Sequence, residues 1–178
     1  MTAPPDITIR RAATGDEHAL GAIGMATFLE SFVRDIPGAD LIKHCYTQHS
    51  VEAYRGFLNG DDPRYACWLA EYKATGAPIG YAVTCPPDMP VEVGAKDIEL
   101  KRIYVFSSFH GSGAGKRLND AVDTHARAMK APRLLLGTYE ENRRAIAFYA
   151  REGYAQIGTR QFQVGDKLFD DIVMGKTL

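Results

Sequence analysis

The sequence predicts an α/β fold, a single domain in which a mixed, mostly antiparallel sheet is flanked by helices. Three observations carry that prediction. First, the apolar stretch ending Ile103-Tyr104-Val105 runs through Gly111, Gly113 and Gly115 into a segment with helical spacing (Leu118, Ala121, Val122, His125, Met129). A second apolar run, Arg133 to Thr138, follows that segment, and a strand–helix–strand order of this kind makes a parallel pair. Second, two pairs of strand-like runs are joined by short turns, as antiparallel hairpins are. Tyr65 to Tyr72 and Pro78 to Cys85 flank Lys73–Ala77, and Tyr154 to Val164 and Lys167 to Thr177 flank Gly165-Asp166. Third, 178 residues suit one domain, taken as 1–178, long enough to bury a core without staples.

In chain order, Ile7-Thr8-Ile9-Arg10 alternates and reads as a first strand. Thr14-Gly15-Asp16-Glu17 supplies helix-start chemistry, and Leu20, Ile23, Phe28 and Phe32 give one or two helices to about Arg34, with Gly24 marking an irregularity. After the Pro37-Gly38 break, a helical region covers about Asp40 to Leu58, interrupted near Ser50. Between the first hairpin and the central strand, Pro86 to Lys96 is a proline-rich loop. In the central strand the apolar positions change parity, from Ile98 and Leu100 to Ile103 and Val105. A bulge near Lys101-Arg102 would produce that change. Asn142 to Gly153 is a helix with an asparagine N-cap and a C-terminal glycine.

Composition excludes several function classes. A net charge of −1 provides no basic footprint for nucleic acid. No apolar run approaches the roughly 20 residues needed to cross a membrane, and Met1 to Asp6 lacks the regions of a signal peptide. Cys45, Cys67 and Cys85 form no C-x-x-C pair, as expected of buried, reduced thiols in a cytoplasmic protein. No metal-ligating cluster is visible. His44, His49 and His125 have no ligand-like spacing and read as packed histidines. Ser107 and Ser108 lack any Ser-His-Asp context.

The glycine-rich turn between strand and helix is an anion site. The first helical N–H groups lack internal partners, and glycines let a phosphate approach them. A nucleotide-triphosphate loop, G-x-x-x-x-G-K-[ST], would need glycine where His110 stands and Ser or Thr where Arg117 stands. A dinucleotide fingerprint would need a third glycine where Lys116 stands. The remaining form is [QR]-x-x-G-x-[GA], the pyrophosphate loop of coenzyme A-dependent N-acetyltransferases. His110-Gly111-Ser112-Gly113-Ala114-Gly115 fits it except at the first position. The competing reading is a flexible Gly/Ser loop.

A second motif follows: Gly137-Thr138-Tyr139-Glu140-x-Asn142-x-x-Ala145-Ile146-x-Phe148-Tyr149-x-x-x-Gly153-Tyr154. With Leu100-x-x-Ile103-Tyr104-Val105 and the Gly111–Lys116 loop, it resembles the GNAT superfamily of N-acetyltransferases. The tail Phe169-Asp170-Asp171-Ile172-Val173-Met174 and the early Thr27-Phe28-x-x-x-Phe32 look like the bacterial spermidine/spermine acetyltransferase subgroup. The resemblance implies a GNAT-like sheet whose central strands splay around acetyl-CoA, used as cosubstrate without a metal. It implies that the backbone of Ile103, Tyr104 and Val105 holds the acetyl and pantetheine groups. The loop His110, Gly111, Ser112, Gly113, Ala114, Gly115 and Lys116 would hold the pyrophosphate, and Asn142 and Tyr149 would complete the site. His110 in place of Gln or Arg puts one side-chain contact in doubt. The implied partner is a small amine, a polyamine first, with a protein N-terminus, a lysine or an amino compound as alternatives, and the implied assembly a monomer or homodimer. A CoA-binding regulator without turnover is the rival from another class.

Acetyl transfer to an amine needs a free nitrogen lone pair, and an amine of pKa about 10.4 is neutral in roughly one molecule of a few thousand at pH 7. A base within reach, directly or through one water, raises that fraction. Glu99 is the candidate base; the alternative is a solvated strand carboxylate. Tyr149 lies about two turns beyond Asn142, on the same helix face, and is the candidate acid for the leaving thiolate, against a core aromatic. Asp61, Asp62, Asp88, Glu92 and Asp97 offer an acidic lining for a polycation or are solvated loop charges.

Overall fold

The computed structural model describes residues 6–178. Its sheet has seven strands in the order β1-β2-β3-β4-β5-β7-β6: β1 (Ile7–Arg11), β2 (Ala66–Tyr72), β3 (Ala77–Cys85), β4 (Ile98–Val105), β5 (Arg133–Tyr139), β6 (Ala155–Val164) and β7 (Lys167–Thr177). Every neighbouring pair is antiparallel except β4 and β5. The closing hairpin inserts its second strand next to β5, leaving β6 at the edge. Helices α1 (Glu17–Phe32), α2 (Gly38–Gln48) and α3 (Val51–Leu58) cover one face. On the other lie α4 (Ala114–Ala128) and α5 (Arg143–Arg151).

The expected elements are present within a residue or two, and each has a local cause. Ser50 separates α2 from α3 because its hydroxyl accepts the Ala53 N–H (3.1 Å), starting a new helix. Gly153 ends the α5 turn in the left-handed region (φ 92°). Gly24 departs from the expectation. The helix runs through it without irregularity, and the glycine serves packing: a Cβ there would overlap Tyr54 Oη and His49 Nδ1, which pack against α1.

The parity change in β4 is a bulge. Val83 pairs with Arg102 and Thr84 with Leu100, so Lys101 is the extra residue. The bulge keeps Ile98, Leu100, Ile103 and Val105 on the α4 side, packed with Leu118, Val122 and Leu136. Tyr104 points the other way, toward Tyr81 and Leu20. β4 and β5 pair only at Ile98↔Leu134 and Glu99↔Leu135. Beyond Glu99 the strands separate, while β5 stays paired with β7 as far as Tyr139↔Asp171. The splay leaves a wedge through the middle of the sheet.

Candidate active site

The wedge exposes backbone that a continuous sheet would consume. Ile103, Tyr104 and Val105 pair with β3 on one side only, and they are part-exposed although they lie at the sheet centre. An extended amide-bearing ligand can pair with that free edge as a missing strand would.

At the end of β4 a short 3₁₀ turn, Ser107–Phe109, leads into the glycine loop. Gly111 (φ 84°) and Gly113 (φ 87°) both adopt left-handed backbone, which a side chain would strain. Gly113 caps α4, so the first N–H groups of that helix face outward with the positive end of its dipole. A Cβ built on Gly111, Gly113 or Gly115 would meet no protein atom within 4 Å. The glycines therefore leave open space beside unpaired donors, which fits a pyrophosphate. Two N–H groups of the Gly111–Lys116 loop have local acceptors, Ser112 on the Phe109 carbonyl (3.2 Å) and Ala114 on Ser112 Oγ (3.3 Å).

The loop side chains are turned elsewhere. His110 folds back so that Nε2 donates to the Val105 carbonyl (2.9 Å), and Lys116 Nζ is paired with Asp120 one turn along α4 (2.8 Å). Lys116 thus faces the expected site with backbone alone, whereas the His110 side chain takes one carbonyl of the Ile103–Val105 segment. Asn142 caps α5 by accepting the Ala145 N–H (3.1 Å), which leaves its amide NH₂ exposed as a donor.

Tyr149 reaches the wedge from α5. Its ring is buried among the residues that line the α4 face, edge-on to Phe148 (5.3 Å) and Tyr154 (5.7 Å). Among the described residues its hydroxyl has no hydrogen-bond partner. Burial, aided by the nearby Tyr104 phenol, pushes its pKa up, so it stays protonated across the working pH range. The α4 face of the sheet thus carries a protonated phenol.

Glu99 sits where the two strands part, 1% exposed, on the face opposite the glycine loop. One carboxylate oxygen accepts the Asp88 N–H (3.1 Å) and contacts the Cys85 thiol (3.8 Å). The other lies 3.5 Å from Lys101 Nζ and 3.9 Å from Arg160 Nη1. Glu99 is thus a held carboxylate and not a solvated one. It can take a proton through water, or it can anchor its two cations.

Sequence reasoning missed the company Glu99 keeps. Arg160 comes from β6, crosses over β5 where Gly137 leaves room for its guanidinium, and pairs with Asp171 of β7 (3.0 Å). Burial raises the Asp171 pKa against the opposing pull of Arg160. Glu30 of α1 accepts from the N–H (2.9 Å) and hydroxyl (2.6 Å) of Ser107, tying α1 to the end of β4. A readable signal existed for Arg102 alone, since the bulge parity places that charge on the face of Tyr104.

The profile of the Acetyltransferase (GNAT) family matches residues 25–154, which holds the bulged strand, the glycine loop and Tyr149. The chain belongs to the GNAT family. A curated relative, an uncharacterised N-acetyltransferase of Mycobacterium tuberculosis, is 35% identical over 117 residues, 66% of this chain and 70% of the relative. Among solved structures, the PaiA N-acetyltransferase of Thermoplasma acidophilum in complex with coenzyme A superposes with a TM-score of 0.77. It is 16% identical and covers 97% of this chain and 99% of its own. Ribosomal-protein-alanine N-acetyltransferase of Brucella melitensis superposes at 0.74 with 27% identity, over 96% and 99% of the two chains. This GNAT chain is therefore an acetyl-CoA-dependent N-acetyltransferase. Among the described residues no helix is long and apolar enough to cross a membrane.

Proposed function

We propose that the protein moves the acetyl group of acetyl-CoA directly to a small primary amine, with Tyr149 and Glu99 serving the two proton transfers. The observation that carries this reading is the Tyr149 phenol, protonated, without a hydrogen-bond partner among the described residues, and in the cluster on which Ile103 and Val105 pack. Acetyl-CoA supplies an activated thioester. The Ile103–Val105 edge would hold its pantetheine amides, Asn142 would donate to the same arm, and the Gly111–Lys116 N–H groups would take its pyrophosphate. As the amine nitrogen bonds to the acetyl carbon, it loses a proton through water toward Glu99. As the carbon–sulfur bond breaks, the sulfur takes a proton from Tyr149.

Direct transfer fits the cysteines. All three are buried and unpaired, and burial pushes Cys67 and Cys85 up to about 12, which keeps them from acting as thiolate nucleophiles. A polyamine is the acceptor that the resemblance suggests, but two of the carboxylates it would use are already neutralised. Asp62 pairs with Arg64 and Asp97 with Arg133, both at 2.6 Å. The test is release of CoA thiol from acetyl-CoA across a panel of primary amines, with acetyl-CoA binding followed by calorimetry. Thiol release dependent on one class of amine is expected. Tight binding with no release for any amine would overturn transfer and leave a CoA-binding regulator.

A further inference from the structure

On the α1–α3 face of β4 and its neighbours stand five charged side chains, of which four pair among themselves. Lys101 and Arg160 flank Glu99, and Arg160 also holds Asp171. The fifth, Arg102, has no carboxylate within 4.0 Å among the described residues. It points over its cross-strand partner Val83 toward α3, with its guanidinium 5.5 Å from the Tyr54 ring centre and 5.4 Å from that of Phe57. Its Nη1 is closed off from solvent and has no hydrogen-bond partner. The nearby histidines offer no negative charge either: burial first, and the charge of Arg102 second, hold His44 and His49 neutral.

A half-buried guanidinium with one nitrogen closed off and aromatic faces as its company is only partly compensated. The planar fork matches a carboxylate through two parallel N–H···O bonds. The local balance runs the same way. Among the side chains that β4, β6 and β7 contribute to this cluster, three cations (Lys101, Arg102, Arg160) face two carboxylates (Glu99, Asp171), an excess of one positive charge; Glu30 of α1 is engaged by Ser107. A polycation entering here would add to that excess; an acceptor carrying one negative charge would cancel it.

We propose that the acceptor is an amine that also bears a carboxylate, and that Arg102 binds this carboxylate while the amine reaches the wedge between β4 and β5. This deepens the transferase reading and rests on it. Arg102 is a specificity-determining residue in this scheme and takes no part in proton transfer.

The experiment compares kcat/KM, from CoA thiol release, for amines matched in length: 5-aminopentanoate, its carboxamide, pentylamine and 1,5-diaminopentane, with alanine against alaninamide as a shorter pair. 2-Aminoethylphosphonate separates a phosphonate from a carboxylate. In the wild type at least one carboxylate member should exceed its carboxamide by about tenfold or more, the size of one charge-assisted pair. Arg102→Met keeps the apolar stem against Tyr54 and Phe57 and should bring that ratio close to one. Arg102→Lys should retain part of it and serves in place of the methionine variant should the latter melt early. Preference for the diamine in the wild type, preference for the phosphonate over every carboxylate, or a ratio that survives Arg102→Met, would overturn the proposal. Absence of release with every amine, while acetyl-CoA still binds, would overturn the transferase reading itself, and this one with it.

Discussion

The two faces of the central strand solve different problems with different materials. On the α4 face the site is made of backbone: a strand edge freed by the splay, and helix N–H groups exposed by Gly111 and Gly113, with the His110 and Lys116 side chains turned to protein partners. On the α1–α3 face it is made of side chains. Glu99, Lys101 and Arg102 from β4 meet Arg160 from β6 and Asp171 from β7 under the aromatic residues of α3. In the proposed reading, backbone donors recognise what every acetyl-CoA molecule carries, so that face needs only glycines at fixed spacing. In the same reading, side chains recognise what differs between acceptors, and they come from segments far apart in sequence. One face can therefore be lost without the other, and variants can show which face does what.

The largest effect is expected at the junction of the two faces. Tyr149→Phe keeps the ring packed against Phe148 and Tyr154 and removes only a hydroxyl that has no hydrogen-bond partner among the described residues. Stability should change by less than the worth of a hydrogen bond, because no protein partner of the hydroxyl is left behind. Turnover should fall by about a hundredfold, the low end for lost acid–base catalysis, since a thiol of pKa about 8.5 is already a fair leaving group. Normal melting, normal acetyl-CoA binding and turnover within about twofold of wild type would return Tyr149 to the core.

Next comes the backbone face. A Cβ at Gly113 clashes with no protein atom, so Gly113→Val should fold, strained only at φ 87° and intruding only on the space beside the helix N–H groups. Its acetyl-CoA dissociation constant should rise about tenfold or more, roughly 1.4 kcal/mol. The rise in melting temperature that acetyl-CoA gives the wild type should shrink accordingly. Unchanged calorimetric affinity would remove the glycine loop from the site.

The same contrast explains what the sequence revealed. Local patterns were legible: the bulge near Lys101-Arg102 from a parity change, α4 from glycines beside helical spacing, and a break near Ser50 in the helical region. The Gly24 irregularity was misread because its cause is Tyr54, 30 positions away. The ion pairs around Glu99 were not legible for the same reason. Arg160 and Asp171 reach it only because β7 inserts between β5 and β6, and no spacing in the chain encodes that approach.

Glu99→Gln sharpens the side-chain face. If Glu99 takes the proton, the variant should lose several-fold in rate near neutral pH and less at high pH, where more of the amine is already neutral. A uniform drop at all pH values would make it an anchor for Lys101 and Arg160 instead. Full activity throughout would leave proton removal to water or to Asp171.

The smallest expected effect concerns His44, which belongs to the same face and reports its dryness. Its ring stacks on Phe28 (4.3 Å between centres) and meets Phe162 edge-on, and burial, with the charge of Arg102, lowers its pKa to about 4. The unfolded chain binds this proton near pH 6.5 and the folded chain near pH 4, so the folded state gains the proton later as pH falls. Between those values the unfolded state holds more protons, and His44 lets stability slip as pH drops, by at most about 1.4 kcal/mol per unit. The depressed carboxylates Asp16, Glu30 and Asp62 add to this acid loss and the raised Asp171 opposes it, so absolute curves mix several groups. His44→Phe isolates the one of interest by keeping an aromatic ring against Phe28 while removing the titration. Urea midpoints for both proteins at several pH values should run together above pH 7. They should diverge from about pH 6.5 down to about pH 4, with the wild type falling faster. Parallel curves across that window would mean that water reaches His44 freely.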